Sequence, residues 1–258
     1  MKRDRTHRAN SPGRPAQRNV GLARAISKLG YCSRSRAAEL IRAGQVRING
    51  VVRKNAEAPV HLGKDRLEIN GQSVAQSKKL YLMFNKPRGV VTTASDERGR
   101  ETIYEYLDRN LTWVAPVGRL DKGSEGLLLI TNDSEWAAKI SSPASYVDKT
   151  YHVQLSAQAT EEMMESLTQG FRVKDGEFLR VKNAQLLRRG ERNCWVEIVL
   201  DEGKNRQLRR MFESLGVNVL RLVRVAIGAL QLGDLPKGES RALGPEETVL
   251  LFTKTGAV

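Results

Sequence analysis

The sequence predicts an α+β fold in two parts, and three observations carry that prediction. Helical and strand periodicities both occur along the chain, but they do not alternate as regular βαβ units. A short, strongly basic run of helices and small strands is set off from the remainder by a polar stretch, Gln72 to Lys79. The 258 residues, 40% of them hydrophobic, supply enough apolar surface for one large core and one small module.

Residues 1 to 20, MKRDRTHRANSPGRPAQRNV, are Arg-rich and acid-poor. Met1 and Val20 are their only large apolar residues, too few for an amphipathic targeting face, so residues 1–19 are expected to be a disordered basic arm able to touch phosphates. From Val20 the pattern changes. Leu22, Ala25, Ile26 and Leu29 recur at helical spacing and Gly30 is a stop signal. Ser33 can cap a second helix through Ala43, with Ala37, Leu40 and Ile41 facing inward and Gly44 ending it. Two alternating runs follow, QVRING and RLEING, each closed by an Asn-Gly turn signal at Asn49-Gly50 and Asn70-Gly71. Arg34, Arg36, Arg42, Arg47, Arg53 and Lys54 furnish the polar faces of this unit, a basic surface suited to an RNA backbone. A plain solvated face would mix the two signs of charge more evenly.

After the polar stretch, LYLMFNKPRGVVTT reads as strand, Lys86-Pro87-Arg88-Gly89 turn, strand. Thr102 to Leu107 reads as a helical turn, Leu127 to Ile130 as a buried strand, Ser134 to Ile140 as a helix and TYHVQL as a strand. Thr160 opens a helix with Glu161 and Glu162 in its favourable first turn and Gly170 beyond its end. Residues 194–200, CWVEIVL, form a strand, 204–216 a helix closed by Gly216, and VNVLRLVRVAIGALQL returns to strands. There is no internal repeat.

Composition narrows the function. Lys and Arg total 43 against 29 Asp and Glu, a net charge of +14 with a sequence pI of 10.0, which favours a polyanionic partner. Cys32 and Cys194 stand apart without a CxxC pair, so neither a disulfide framework nor a zinc site is supported and a reducing cytoplasm fits. No apolar run approaches the ~18 residues that span a bilayer, and no membrane association is expected. P-loop, GxGxxG, GxSxG and HExxH motifs are absent, and His7, His61 and His152 are scattered, so nucleotide-cofactor, serine-hydrolase and zinc-protease chemistry lose their usual signatures. A metal-dependent nuclease would need converging carboxylates, and only Glu125 and Asp133 lie near Asp121 in sequence.

Asp121 itself draws attention. It sits between Arg119 and Lys122 at the mouth of the apolar run after Glu125. Lost hydration favours the neutral form of a carboxylate and an adjacent guanidinium restores the ionised one; a partly desolvated, ionised carboxylate is a usable nucleophile or base. The plain alternative is a turn-forming Asp in Leu-Asp-Lys-Gly.

Longer strings decide between these. GLARAISKLGYCSRSRAAELIRAGQVRINGVV resembles an S4-type RNA-binding domain, covering about residues 20–76. GRLDKGSEGLLLITND resembles the hallmark motif of pseudouridine synthases of the RsuA/RluB type, and four further strings agree in order: NKPRGVV at 85–91, KTYHVQL at 149–155, EGKNRQLRRMFESLG at 202–216 and LVRVAIGALQLGDLPKGESRAL at 222–243. The resemblance implies an S4-like domain followed, over 80–258, by a catalytic domain built on a mixed, mainly antiparallel sheet with flanking helices. It implies that Asp121 is the catalytic nucleophile, that Tyr151 stacks on the target base, and that Arg209 is the basic partner of the carboxylate. Which of Arg206, Arg209 and Arg210 faces Asp121 is left open. Arg119 and Lys122 are expected to meet RNA phosphate or the space the base leaves, and Lys86, Arg88, Arg206 and Arg210 join the RNA-binding set with Arg34, Arg36, Arg42 and Arg47. Leu222 and Val225 to Gly228 are expected to pack beneath the site. No cofactor or metal is implied.

The expected function is therefore isomerisation of specific uridines in ribosomal RNA, free or within an assembly intermediate, by a protein whose default state is a monomer. FNKPRGVV, NRQLRRM and LVRVAIG look closer to RluB-type members, which favours 23S over 16S RNA. The rival from another class is a non-catalytic RNA-binding assembly factor, which would have no need of Asp121, Tyr151 and Arg209 together.

Overall fold

The computed structural model describes residues 19–93, 96, 98–142 and 145–252, and the basic arm expected over 1–19 lies outside them but for Asn19. The described residues fall into two compact units that meet in the chain at Ser77 and Lys78.

The first unit comprises β1 (Val20–Gly21), α1 (Leu22–Lys28), α2 (Arg34–Arg42), β2 (Val46–Ile48), β3 (Val51–Val52), β4 (Pro59–Val60), β5 (Leu67–Ile69) and β6 (Gln72–Ser73). Ser33 caps α2 as expected, its side chain accepting from the Arg36 N–H at 3.1 Å. Asn49-Gly50 and Asn70-Gly71 take positive φ at both positions and close the β2–β3 and β5–β6 hairpins as two-residue loops. Gln72 and Ser73, read from the sequence as linker, thus belong to the sheet, because the Asn-Gly turn returns the chain against β5. Leu22, Ile26, Leu40, Ile41, Val46, Leu67 and Ile69 fill a core of this unit's own. Arg34, Arg36, Arg42 and Arg47 are all exposed.

The second unit runs β7 (Tyr81–Lys86), a 3-10 turn (Ile103–Glu105), β8 (Ala115–Val117), β9 (Glu125–Thr131), α3 (Ser134–Ser141), β10 (Lys149–Leu155), α4 (Glu161–Gln169), β11 (Phe171–Arg172), β12 (Phe178–Leu179), β13 (Asn183–Arg189), β14 (Cys194–Leu200), α5 (Gln207–Ser214), β15 (Val219–Ile227), β16 (Leu230–Gln231), β17 (Ser240–Ala242) and α6 (Pro245–Leu250). Nine of these strands form one sheet in the order β13-β14-β10-β15-β9-β7-β17, with β16 on β15 and β8 on β9. Every pairing is antiparallel except β15 with β9. The mixed, mainly antiparallel sheet is the one expected. One strand of the sequence reading is not formed: the chain after Gly89 makes only an isolated bridge, Val91 to Thr102, because the Gly89 N–H donates to the Lys122 carbonyl and the Thr92 hydroxyl to the Leu120 carbonyl, turning the segment towards another loop.

Strand β9 explains why LLLI reads as an unbroken apolar run. Leu127 and Leu129 enter one core with Trp136 and Ile140 of α3, while Leu128 and Ile130 enter another with Phe84 and Ile103, so both faces are covered. Along one edge β9 pairs with β7 for six residues; the other edge is shared. There β15 pairs only with Glu125 and Gly126, and β8 takes Leu129 to Thr131. The sheet forks between them, and the loop carrying Asp121, from β8 to β9, leaves and returns at that fork.

Candidate active site

The β8–β9 loop is held by its backbone. The Ser124 N–H donates to the Asp121 carbonyl at 2.9 Å, and the Gly89 N–H to the Lys122 carbonyl at 2.8 Å. Lys86, at the end of β7, is 0% exposed and its ammonium donates to the carbonyls of Ser124 (2.9 Å), Pro87 (3.0 Å) and Asp121 (3.3 Å). This overturns the expectation that Lys86 binds RNA: it is consumed inside the protein, tying the turn after β7 to the Asp121 loop. A Lys-Pro-Arg-Gly turn reads as exposed, and the burial comes from carbonyls distant in sequence.

Burial pushes Lys86 down to about 8, against the pull of the Glu125 and Asp121 carboxylates. The folded value lies below the unfolded 10.5, so between about pH 8 and 10.5 the unfolded chain holds the extra proton and Lys86's own contribution to stability rises with pH. The loop responds in the opposite sense, since a neutral amine has two N–H donors for three carbonyls. Pseudouridine formation is expected to decline above about pH 8 through this group. Single-turnover rates against pH should show that limb in the wild type and lose it in Lys86→Met; an identical limb in both would refute the assignment.

Helix α5 supplies the opposing wall. Leu208, Met211 and Phe212 anchor it in the core formed with β10, β14 and α4. Its first turn is shorter than the sequence suggests: the helix starts at Gln207, not Lys204, because Arg206 sits in the left-handed region at φ 47°, ψ 30°. Starting there fixes which arginine goes where. Arg206 brings Nη1 to 3.9 Å from Asp121 Oδ2, the ion pair that Asp121 makes among the described residues. Arg209 donates to the Gly123 carbonyl at 2.8 Å and to the Val219 carbonyl at 3.3 Å, bracing the loop next to Asp121 instead of pairing with the carboxylate. Burial and the charge of Arg206 push its pKa down, Asp121 pulls it back, and Arg88 adds to the lowering. Arg210 points elsewhere, to Asp175 at 2.6 Å and Glu177 at 2.7 Å on the loop between β11 and β12, so it is not the arginine that meets Asp121.

One cavity of about 490 Å³ gathers these groups. Asp121, Arg119, Tyr151, Arg206 and Arg209 line it, with Leu200, Leu208, Leu222 and Ile227 as apolar floor. Asp121 is 29% exposed on its side chain, open to a ligand yet shielded on most sides. Leu222 and Ile227 pack beneath the site as the sequence indicated. Lys122 and Arg88 are exposed but do not line the cavity; Arg88 donates to the Leu220 carbonyl. Sequence reasoning missed Lys149, Arg224 and the support of Glu125. Lys149 and Arg224 line the cavity. Glu125 is 2% exposed, bidentate with Arg221 at 3.0 Å and bonded by Lys237 at 2.6 Å; burial pushes its carboxyl up, but these cations more than offset that and hold it below the usual range. Glu-Gly before an apolar run carries no signal that the carboxylate is the one folded under.

Comparison with known proteins agrees with this architecture. Residues 80–214 match the family model for RNA pseudouridylate synthase, and residues 20–67 that for the S4 domain. The chain is 36% identical over 227 residues to ribosomal large subunit pseudouridine synthase B of Bacillus subtilis, covering 88% of this chain and 93% of that protein. It is 34% identical over 238 residues to an RNA pseudouridine synthase of Aquifex aeolicus, covering 92% and 95%. A crystal structure of a pseudouridylate synthase superposes with a TM-score of 0.64 at 31% identity, over 90% of this chain and 99% of that one. With two domain matches in the expected order and relatives aligned over most of its length, the chain belongs to the RsuA/RluB family of RNA pseudouridine synthases, with an N-terminal S4 domain.

Proposed function

We propose that the enzyme isomerises one or a few uridines of 23S ribosomal RNA, with Asp121 as the nucleophile, Tyr151 stacking on the flipped base and Arg206 as the charge partner of the carboxylate. The observation that carries this reading is the convergence of Asp121, Tyr151, Arg206 and Arg209, from three separate stretches of chain, on one cavity of a size that admits a nucleoside. A uridine in structured RNA must leave its stack to reach such a cavity, at a cost of a few kcal/mol, and an aromatic face can hold the ring while it turns. Arg119 lines the cavity, and the exposed Arg88 and Lys122 add positive charge that would offset the cost by meeting RNA phosphate. The Bacillus subtilis relative is a large-subunit enzyme, which supports 23S RNA as the target.

The test is a pseudouridine map of 23S and 16S transcripts and of ribosomal assembly particles after incubation with the enzyme. A new pseudouridine in 23S RNA is the expected result; one in 16S RNA alone would move the assignment to the small subunit. The S4 domain adds a second hold on the RNA, raising effective concentration at the site. The described residues from Lys78 onward form hydrophobic cores of their own. Removing residues 1–77 is therefore expected to leave a folded remainder whose RNA affinity is weaker and less dependent on salt, read from the slope of log K against log salt. An unchanged slope would count against the domain's role.

A further inference from the structure

Arg224 is placed in a way the fold alone does not require. It lies on β15 where that strand leaves β9 at the fork, opposite Tyr151 of β10 in the strand register. It is only 6% exposed. Its Nε–H donates to the Leu127 carbonyl at 2.7 Å, in the gap where β15 no longer pairs with β9. Its Nη2 is buried and, among the described residues, has no hydrogen-bond partner. A dry guanidinium nitrogen without an acceptor is costly, and an apolar side chain could fill the same space. Such a group persists where a ligand completes it. Lys149 stands two residues before Tyr151 on the same face of β10, and it too lines the cavity. Among the described residues its ammonium makes no hydrogen bond or ion pair, and burial together with the nearby Arg224 charge pushes its pKa down.

The reaction creates a need for such donors. When the C1′–N1 bond of uridine breaks, its electron pair stays on the base, which becomes an anion with charge spread over N1 and the two ring carbonyl oxygens. The charge disappears when C5 bonds to C1′, the C5 proton departs and N1 gains a proton, leaving an isomer of the same atoms. In a cavity with little water, fixed cationic donors aimed at that charge lower the barrier. We propose that Arg224, seconded by Lys149, holds the detached uracil by donating to one of its carbonyl oxygens. This rests on the reading of the cavity as the uridine site.

The experiment replaces the target uridine by 2-thiouridine or 4-thiouridine and measures single-turnover rates with full-length enzyme. Sulfur is the poorer acceptor, so one of the two substitutions should slow the wild type by about tenfold. Arg224→Lys and Arg224→Met should slow the uridine substrate by about 10²-fold with RNA affinity retained, and should no longer feel that thio substitution. Lys149→Met, which has no hydrogen bond to lose, should slow it by about tenfold and keeps the proposal testable if Arg224→Met does not fold. A thio effect of the same size in wild type and Arg224→Lys, or none with either analogue, would overturn it. An Asp121→Asn control that turns over uridine normally would instead overturn the reading of the cavity.

Discussion

Asp121→Asn is expected to fold and bind RNA as the wild type does and to lose pseudouridine formation by about 10⁴-fold or more. The loop does not depend on the carboxylate. Its hydrogen bonds run through the backbone carbonyls of Leu120, Asp121, Lys122, Gly123 and Ser124, to Thr92, Lys86, Gly89 and Arg209. The side chain contributes the Arg206 pair at 3.9 Å, with both partners partly open to solvent, an interaction of small energetic weight. An amide of the same shape fits that place, but it can neither attack a sugar or pyrimidine carbon nor accept a proton. A purified variant with an unchanged melting transition and an empty pseudouridine map would meet the expectation. Turnover at the wild-type rate would sink the role of Asp121.

Gly126→Ala should have the largest effect on stability. Gly126 has φ +99°, and a Cβ placed on it would stand 2.3 Å from the Arg224 carbonyl oxygen and 2.9 Å from the Arg224 nitrogen. These are backbone atoms, so no side-chain rotation relieves the clash. Gly126 is also one of only two β9 residues that pair with β15, and the two halves of the sheet are joined there. Steric overlap and an unfavourable φ together should cost about 4 kcal/mol or more, a large part of a typical domain's stability, and lower Tm by about 10 °C. Gly203→Ala supplies the control. Among the described residues no atom beyond its chain neighbours lies within 4 Å of its added Cβ, and its φ is ordinary, so its Tm should be close to wild type. Equal melting of the two variants would refute the close packing at the fork.

Local signals were well legible in the sequence. Asn-Gly at 49–50 and 70–71 set two hairpins, Ser33 and Thr160 cap their helices, and Gly170 ends α4, since each depends on the chemistry of a few adjacent residues. What escaped depends on distant partners. NAQLLRR, residues 183–189, is exposed over most of its length and has no clean alternation, yet it is an edge strand because β14 offers it a ladder. The parallel contact of β15 with β9 joins stretches almost a hundred residues apart, a pairing no local pattern announces. The candidate site divided along the same line. Asp121, Tyr151 and Arg209 were legible by resemblance, and the cavity unites them. Arg224 looked like an ordinary polar position in an alternating strand, and which of the three arginines stands beside Asp121 could not be read locally, because a single left-handed residue sets where α5 starts.

That left-handed residue also sets what selection can do with the protein. Arg206 occupies a backbone conformation that glycine adopts freely and that asparagine tolerates better than arginine does, yet the cation beside Asp121 belongs to the arginine side chain. Stability and charge therefore pull on this position in opposite directions. Variants chosen solely for resistance to heat would drift towards glycine or asparagine at 206 and discard the guanidinium, whereas variants chosen for turnover would keep the strained arginine and seek their robustness elsewhere in the sheet.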